Sequence, residues 1–290
     1  MSTDAWVSVL WSVMGLAALV YVLTGGADLG AGVWHVLARG PRRDAQREAI
    51  RHAVAPIWEA NHVWLIFLIV AMFSAFPTAF AVVCVALHLP LVLMLVGLVF
   101  RGAAFVFQAY GISSERTTAR WQRVFAWSST LTPPLIGAMI AAVSSGAIRL
   151  DPEGRVTSSV LAGWTTPFAA LVGLFALALF ALVAAVYLAA ETAQGSTQSS
   201  GQGSAALSWD FARRALAAEV VAGALAAATF ANARSSAPEL FASLARAPWT
   251  VPVQLATAAS ALATCGLLLA RRPSLARAAV VAQVGLVVLV

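Results

Sequence analysis

The sequence predicts an all-α protein that crosses a membrane several times. Of its 290 residues, 61% are hydrophobic and only 10% are charged, whereas soluble domains carry about 25% charged residues. The apolar residues also fall into about eight separate runs, judged against the ~20 residues that a helix needs to span a bilayer. Composition and run length together exclude an ordinary soluble domain.

The eight runs give the expected helices and the turns between them. They cover residues 6–24 (with a continuation to 37), 56–75, 78–100, 124–146, 161–188, 213–232, 250–270 and 276–290. Phe76-Pro77-Thr78 and residues 151–154 are expected to turn outside the membrane. The last run would be about 21 Å long at 1.5 Å per residue, short of the ~30 Å hydrocarbon layer. We therefore expect the sequence to be truncated within its eighth helix.

The distribution of basic residues predicts the orientation. All 18 are arginines, and the net charge is +6. With the N-terminus outside, only Arg149, Arg155, Arg234 and Arg246 fall outside, and the others lie in or beside cytoplasmic loops. The positive-inside rule favours this orientation. It also explains the positive charge better than a nucleic-acid partner does.

We expect a single membrane domain, and a change in composition divides it into two parts. Residues 191–206 are rich in Gly, Ser and Gln without periodicity, which predicts a flexible cytoplasmic linker. Residues 1–190 then hold the first four-helix group and the fifth helix, and residues 207–290 hold the remaining helices. The number of segments suggests two four-helix groups, but no residue-level repeat relates them.

Two polar segments interrupt the apolar runs near the predicted cytoplasmic side. The first, Gly25 to Gly32, carries Asp28 among glycines that permit close helix approach. The third predicted helix ends at Arg101, at the same membrane level. The second segment, Ala55 to Ile66, carries Trp58, Glu59, Asn61, His62 and Trp64. A carboxylate in or near hydrocarbon is costly and is therefore a functional hypothesis by default.

Two interpretations of these groups remain open from the residues alone. Asp28 and Glu59 could form a proton path from the cytoplasm, because intramembrane relays are built from Asp, Glu and His. Alternatively, Glu59 forms a structural salt bridge with Arg101, and Asp28 is a helix-end group in water. The structural interpretation of the tryptophans is that Trp58 anchors the helix at the membrane interface and that Trp64 packs against neighbouring helices.

Haem or metal binding by this chain is not expected. His62 and His88 lie on successive predicted helices, but their expected depths in the membrane differ. Cys84 and Cys265 fall inside apolar runs and show neither a disulfide framework nor metal-ligand spacing.

Four segments, in order along the chain, resemble subunit II of cytochrome bd-type quinol oxidases, the small-subunit family that includes the cyanide-insensitive terminal oxidases. Thr-Gly-Gly-Ala-Asp-Leu-Gly-Ala-Gly at 24–32 resembles the family's Asp-Gly-Phe-Asp-Leu-Gly-x-Gly. Residues 55–66 resemble its Pro-x-Trp-Asp-Gly-Asn-x-Val-Trp-Leu. Ala75-Phe76-Pro77 and Phe100-Arg101-Gly102 fit the same pattern. The second half of the chain matches in helix layout more than in motifs.

The resemblance implies a multi-pass, non-haem subunit of a terminal oxidase in the bacterial cell (inner) membrane. Such a complex couples quinol oxidation to the reduction of dioxygen to water and takes its protons from the cytoplasm. A larger subunit I would bind haems b and d and the quinol, so no catalytic residue is expected in this chain. Small single-helix accessory subunits, membrane lipid and a bound quinone are further partners that this family suggests.

Roles carry over by position. Asp28 and Glu59 would be the proton-path carboxylates. Trp64 would match a tryptophan of an oxygen-access route, and Arg101 a structural or charge-balancing residue. Two departures stand out: Gly25 replaces the usual Asp, and Glu59-Ala60 replaces the usual Asp-Gly. The missing acid at Gly25 removes one relay member at the entrance of the path.

Other classes of protein could use the same residues. A proton-coupled secondary transporter would use Asp28 and Glu59 as coupling groups and the glycine-rich segment as a broken helix. A structural membrane scaffold would only pair the carboxylates.

Overall fold

The computed structural model describes residues 3–110, 114–195 and 202–289. Within these ranges the regular structure is helical, apart from an isolated bridge between Leu150 and Val156. The helices in chain order are α1 (Thr3–Val36), α2 (Arg43–Ala75), α3 (Pro77–Ala86), α4 (His88–Tyr110), α5 (Glu115–Ser144), α6 (Pro167–Ala193), α7 (Gln202–Ser236), α8 (Pro238–Arg246), α9 (Thr250–Leu269) and α10 (Pro273–Leu289).

Six helices in the described ranges are long and apolar enough to cross a membrane. The apolar part of α2, Ala60–Ala75, and α3 make a seventh candidate if they count as one broken span. The apolar part of α10, Pro273–Val288, is shorter. The prediction of an all-α polytopic protein is therefore confirmed, while the number of eight spans and the orientation remain predictions.

A sharp bend separates α2 from α3. Their axes differ by 117°, and the break falls at Phe76, within the turn predicted from the sequence. Pro77 begins α3, where its fixed φ suits a first helical position and no amide donor is required. Pro77 therefore leaves no amide hydrogen without a partner at this turn.

The predicted helix over 78–100 is wrong in its bounds. It is divided at Leu87 into α3 and α4, and α4 continues to Tyr110. Pro90 stands in the first turn of α4, and its ring would clash with the carbonyl of Ala86 if one helix ran through. Arg101 consequently lies inside α4 rather than at a helix end.

The second predicted helix begins earlier than its apolar run. α2 starts at Arg43, well before the apolar run predicted over 56–75 and within the expected first cytoplasmic loop. These residues include Ala, Gln, Glu and Arg, which are good helix formers, so the helix extends beyond the candidate span that begins at Ala60. Its polar first turns carry the charged groups that surround one of the cavities described below.

The core of the bundle surrounds α6, which packs against α1, α5, α7 and α10. α1 approaches α6 so closely that a Cβ on Gly30 would lie 2.0 Å from the Phe180 carbonyl oxygen. The indole Nε1 of Trp34 donates a hydrogen bond to the Ala181 carbonyl oxygen at 2.8 Å. The glycine-rich segment thus seats α1 against the core helix, and α1 runs through it without a break. The broken helix that a transporter would use is not formed in α1.

The predicted linker lies between α6 and α7. α6 ends at Ala193 and α7 begins at Gln202, and residues 196–201 are outside the described ranges. The division of the chain into 1–190, 191–206 and 207–290 stays a prediction.

Candidate functional site

An ion pair between α1 and α4 lies buried inside the bundle. The side chains of Asp28 and Arg101 are 0% and 1% exposed, and Arg101 Nη2 donates to Asp28 Oδ1. The Arg101 guanidinium also lies over the Phe125 ring, 5.3 Å from its centroid. Two charges taken out of water need each other, because each alone would carry an uncompensated desolvation cost. The expectation that Asp28 is a helix-end group in water is therefore wrong.

An amide from α2 completes the surroundings of the carboxylate. Asn61 is buried, and its Nδ2 donates to Asp28 Oδ2 at 3.4 Å. The Thr24 hydroxyl donates to the Val20 carbonyl oxygen at 2.8 Å and lies 3.3 Å from Asn61 Oδ1. Asn61 and Arg101, which the sequence places at the same membrane level as Asp28, thus both contact its carboxylate.

Gly25 explains how Asn61 reaches this site. A Cβ at position 25 would lie 3.0 Å from Asn61 Oδ1 and 3.2 Å from its Nδ2. The amide of Asn61 therefore stands against the place where a side chain at 25 would begin. The glycine that departs from the family pattern gives this amide its room beside Asp28.

Two further side chains surround the ion pair. The ring of His62, which is half-buried on α2, lies within electrostatic range of the Asp28 carboxylate. The hydroxyl of Tyr21 is buried and has no hydrogen-bond partner among the described residues. The same is true of Arg101 Nε. Tyr21 lies seven residues before Asp28, two turns away on the same face of α1. Sequence reasoning missed Tyr21, although this heptad spacing could have found it.

The remaining predicted site residues add no described contact to this cluster. The side chains of Trp58 and Glu59 lie outside the described residues, so their predicted roles stay predictions. Trp64 is half-buried on α2. His88 begins α4, and its Nδ1 lies 2.9 Å from the Val85 carbonyl oxygen. Among the described residues, no group of three or more His, Cys, Asp or Glu side chains could hold a metal ion.

A cavity of about 330 Å³ lies between the polar start of α2 and the ends of α1, α4 and α5. Glu48, Arg51 and His52 line it. Hydrogen bonding from Arg51 lowers the pKa of Glu48, and His52 Nε2 lies 2.7 Å from the same carboxylate. Phe125 forms part of the wall, and the same ring packs under Arg101. The cavity therefore extends from charged surface groups to the residue beside the buried pair.

A second buried polar pair lies in α7 and α10. Gln283 Nε2 donates to Glu219 Oε1 at 2.6 Å, and both residues are 6% exposed. Sequence reasoning missed this pair. The signal was present, because Glu219 is an acid inside the apolar run predicted over 213–232, where charges are rare.

The fold and this site define a class: a polytopic helical membrane protein with an ion pair and an amide network sunk into its bundle. Residues 6–290 match the family described as cytochrome bd terminal oxidase subunit II, and the chain belongs to this family. This finding confirms the resemblance drawn from the four motifs. It gives no support to the transporter alternative.

Individual relatives agree with the family match. The chain is 29% identical over 130 residues to the cytochrome bd-I ubiquinol oxidase subunit 2 of Escherichia coli strain K12, covering 43% of this chain and 32% of that protein. It is 25% identical over 152 residues to the cytochrome bd ubiquinol oxidase subunit 2 of Bacillus subtilis strain 168, covering 52% and 44%. These matches thus span less than half of each relative's length.

A solved structure shows the same fold. A chain in the structure of bd oxidase from Geobacillus thermodenitrificans superposes with a TM-score of 0.70 at 19% sequence identity. The superposition covers 97% of this chain and 82% of that chain. At this identity the likeness establishes the arrangement of helices and nothing further.

Proposed function

We propose that this chain is the haem-free subunit of a bd-type oxidase in the bacterial cell (inner) membrane, which couples quinol oxidation to the reduction of dioxygen to water. Family membership over residues 6–290 supports the proposal, as do relatives that are named ubiquinol oxidase subunits. Its partner would be a larger subunit that binds haems b and d and the quinol.

The observation that carries this chain's own part is the network of Asp28, Arg101 and Asn61. All three are buried, and they occupy positions of the motifs that carry the family resemblance. Polar groups sunk in a membrane are costly and mark proton or substrate paths. Reduction of dioxygen to water consumes protons. A polar route from the cytoplasm through this chain would supply those protons to the reaction in the partner subunit.

The proposed route starts in the cavity beside Glu48 and His52 and passes Phe125 to the ion pair. The Tyr21 hydroxyl and Arg101 Nε are donors that water on this route would find available, since neither bonds to another described residue. In this scheme the ion pair sets the local field, and Glu59 is the carboxylate that takes up and releases the proton. Asp28 is already engaged by Arg101 and Asn61, so the proposal assigns proton transfer to Glu59.

Oxygen access and bound cofactors extend the same proposal. Trp64 would line an oxygen route toward the partner, and its half-buried position on the candidate span supports this. A quinone or structural lipid bound to this chain, and small accessory subunits, remain part of the proposal on the resemblance alone.

The test is Glu59→Gln in the complex purified with its partner subunit. We expect quinol-driven oxygen uptake to fall by at least about tenfold, since a positioned proton carrier typically contributes 10² or more, with haem content retained. Glu153→Gln is the matched control, because Glu153 is an exposed acid in the turn at 151–154. Equal uptake in both variants would assign this chain a scaffold role. A purified assembly without haem or quinol oxidation would overturn the proposal as a whole.

A further inference from the structure

We propose that a cleft between the α1–α2 connection and α7 binds the phosphate group of an anionic membrane phospholipid, whose acyl chain lies along α7. The cleft has a volume of about 390 Å³. We call it the arginine cleft, and its principal lining residues are Trp34, Arg39, Arg42, Asp210, Arg213 and Arg214.

The arginine cleft carries more positive charge than its own acid can balance. Four guanidinium groups face a single carboxylate, that of Asp210. Arg42 already engages this carboxylate in a fork, with its Nε and Nη2 each 2.7 Å from an oxygen of Asp210. Arg39 and Arg213 form no ion pair or hydrogen bond with any residue in the described part of the chain. Two arginines are therefore available to an anion.

Arg214 is a third arginine of the cleft, and its neighbours fix the position of its guanidinium. Arg214 Nη2 donates to Gln46 Oε1 at 2.8 Å, and its guanidinium packs over the rings of Trp34 and Phe211. Its Nη1 is buried and has no partner among the described residues. The planar fork of arginine matches phosphate oxygens in geometry as well as charge. Phosphate is therefore an anion that fits these donors.

The arginine cleft lies where lipid headgroups are expected. Trp34 is in the last turn of the candidate span Ala5–Val36, and tryptophan favours the membrane interface. Arg213 and Arg214 begin the apolar run predicted over 213–232. Basic pockets between membrane helices at this level bind anionic lipid headgroups.

An exposed apolar stripe leads away from the cleft along α7. Ala217 lines the cleft, and Val220 and Val221, one turn further into the membrane, are 70% and 51% exposed. Ala224 continues the same face and is also exposed. A free phosphate ion would need no such surface, whereas an acyl chain requires it. The stripe therefore favours a lipid over soluble phosphate.

The test counts lipid molecules retained by the purified complex containing this chain. After exchange into detergent with added phosphatidylglycerol, native mass spectrometry of the Arg39→Gln/Arg213→Gln variant should show one phosphatidylglycerol fewer than wild type. Arg155→Gln/Arg246→Gln is the matched control, since both arginines are exposed and predicted on the opposite side of the membrane. Its count should equal that of wild type. Equal counts in the cleft variant and the control would overturn the proposal.

Further measurements distinguish an anionic lipid from other occupants of the cleft. Phosphatidylcholine should be retained less than phosphatidylglycerol, and inorganic phosphate should not displace the bound lipid. Equal retention of both lipids, or displacement by phosphate, would contradict an anionic lipid site. If the double variant fails to assemble, a photo-crosslinking residue at Val220 in the otherwise native chain decides the question. Capture of lipid supports the site, and capture of a protein segment identifies a subunit interface instead.

Discussion

At the scale of single residues, the energetics of Asp28 and Arg101 depend on their being together. Their side chains are 0% and 1% exposed, so neither charge is open to bulk water. A buried pair is often no more stable than apolar residues of similar volume, yet removing one partner is strongly destabilising. The pair therefore contributes little net stability, but replacing either residue alone is strongly destabilising.

Asp28→Asn should lower the free energy of unfolding by about 3–5 kcal/mol, because it leaves the Arg101 guanidinium buried without its counter-charge. Denaturant unfolding of the purified chain in detergent micelles measures the change. Asp28→Leu/Arg101→Met, which removes both charges, should recover most of the loss. The exposed Glu153→Gln should stay within about 0.5 kcal/mol of wild type. A double variant as unstable as the single one would show that the pair itself stabilises the bundle.

At the scale of the helices, the glycines of α1 decide how the bundle closes. Gly30 stands against the backbone of α6, and a Cβ on Gly32 would lie 2.4 Å from the Ser129 Cβ on α5. Gly15, on the same helix, has no heavy atom within 4 Å of the place a Cβ would take. Small residues at helix contacts let backbones approach closely in membranes. The same residue type is thus essential at one position of α1 and dispensable at another.

Gly30→Ala should lower the thermal unfolding midpoint, since the new methyl group forces α1 away from α6 at a cost of roughly 1–3 kcal/mol or more. The hydrogen bond from Trp34 to the Ala181 carbonyl would be strained by the same movement. Gly15→Ala is the matched control and should be neutral or stabilise the helix by up to about 1 kcal/mol. Equal midpoints for the two variants would contradict the close approach of α1 and α6.

At the scale of the whole molecule, arginine positions and helix ends give the chain a polarity. The arginine cleft and the cavity near Glu48 both involve the stretch just after α1, where the positive-inside rule predicts the cytoplasmic side. The turn at 151–154 lies between α5 and α6 and is predicted outside. A proton route from the cytoplasm requires this polarity, so the orientation is part of the functional proposal.

Single cysteines introduced at Arg39 and Arg155 should react with a membrane-impermeant maleimide from opposite sides. In a background with Cys84 and Cys265 replaced by Ala, Arg155→Cys should be labelled on intact spheroplasts and Arg39→Cys only in inside-out vesicles. The measurement is the labelled fraction detected by mass shift. The reverse pattern would invert the topology and remove the cytoplasmic entrance from the proposal.

Several features were determined by the sequence alone because they depend on one residue at a time. Hydropathy predicted an all-α protein with several membrane helices, since a bilayer leaves a spanning backbone few alternatives to a helix. Phe76-Pro77 marked the bend between α2 and α3. The ordered motifs around Asp28, Asn61 and Arg101 identified the family, which the match over residues 6–290 confirmed.

Other features were decided only by the tertiary structure, because they depend on which side chains meet. Asp28 and Arg101 are 73 residues apart in the chain, and no local pattern states that Arg101 pairs with Asp28. The division of the third predicted run at Leu87 moved Arg101 from a helix end into a helix interior. Glu219 and Gln283 became a pair only when α7 and α10 packed together. Hydropathy is a property of single residues, whereas pairing requires the packing of distant helices, which a single sequence does not display.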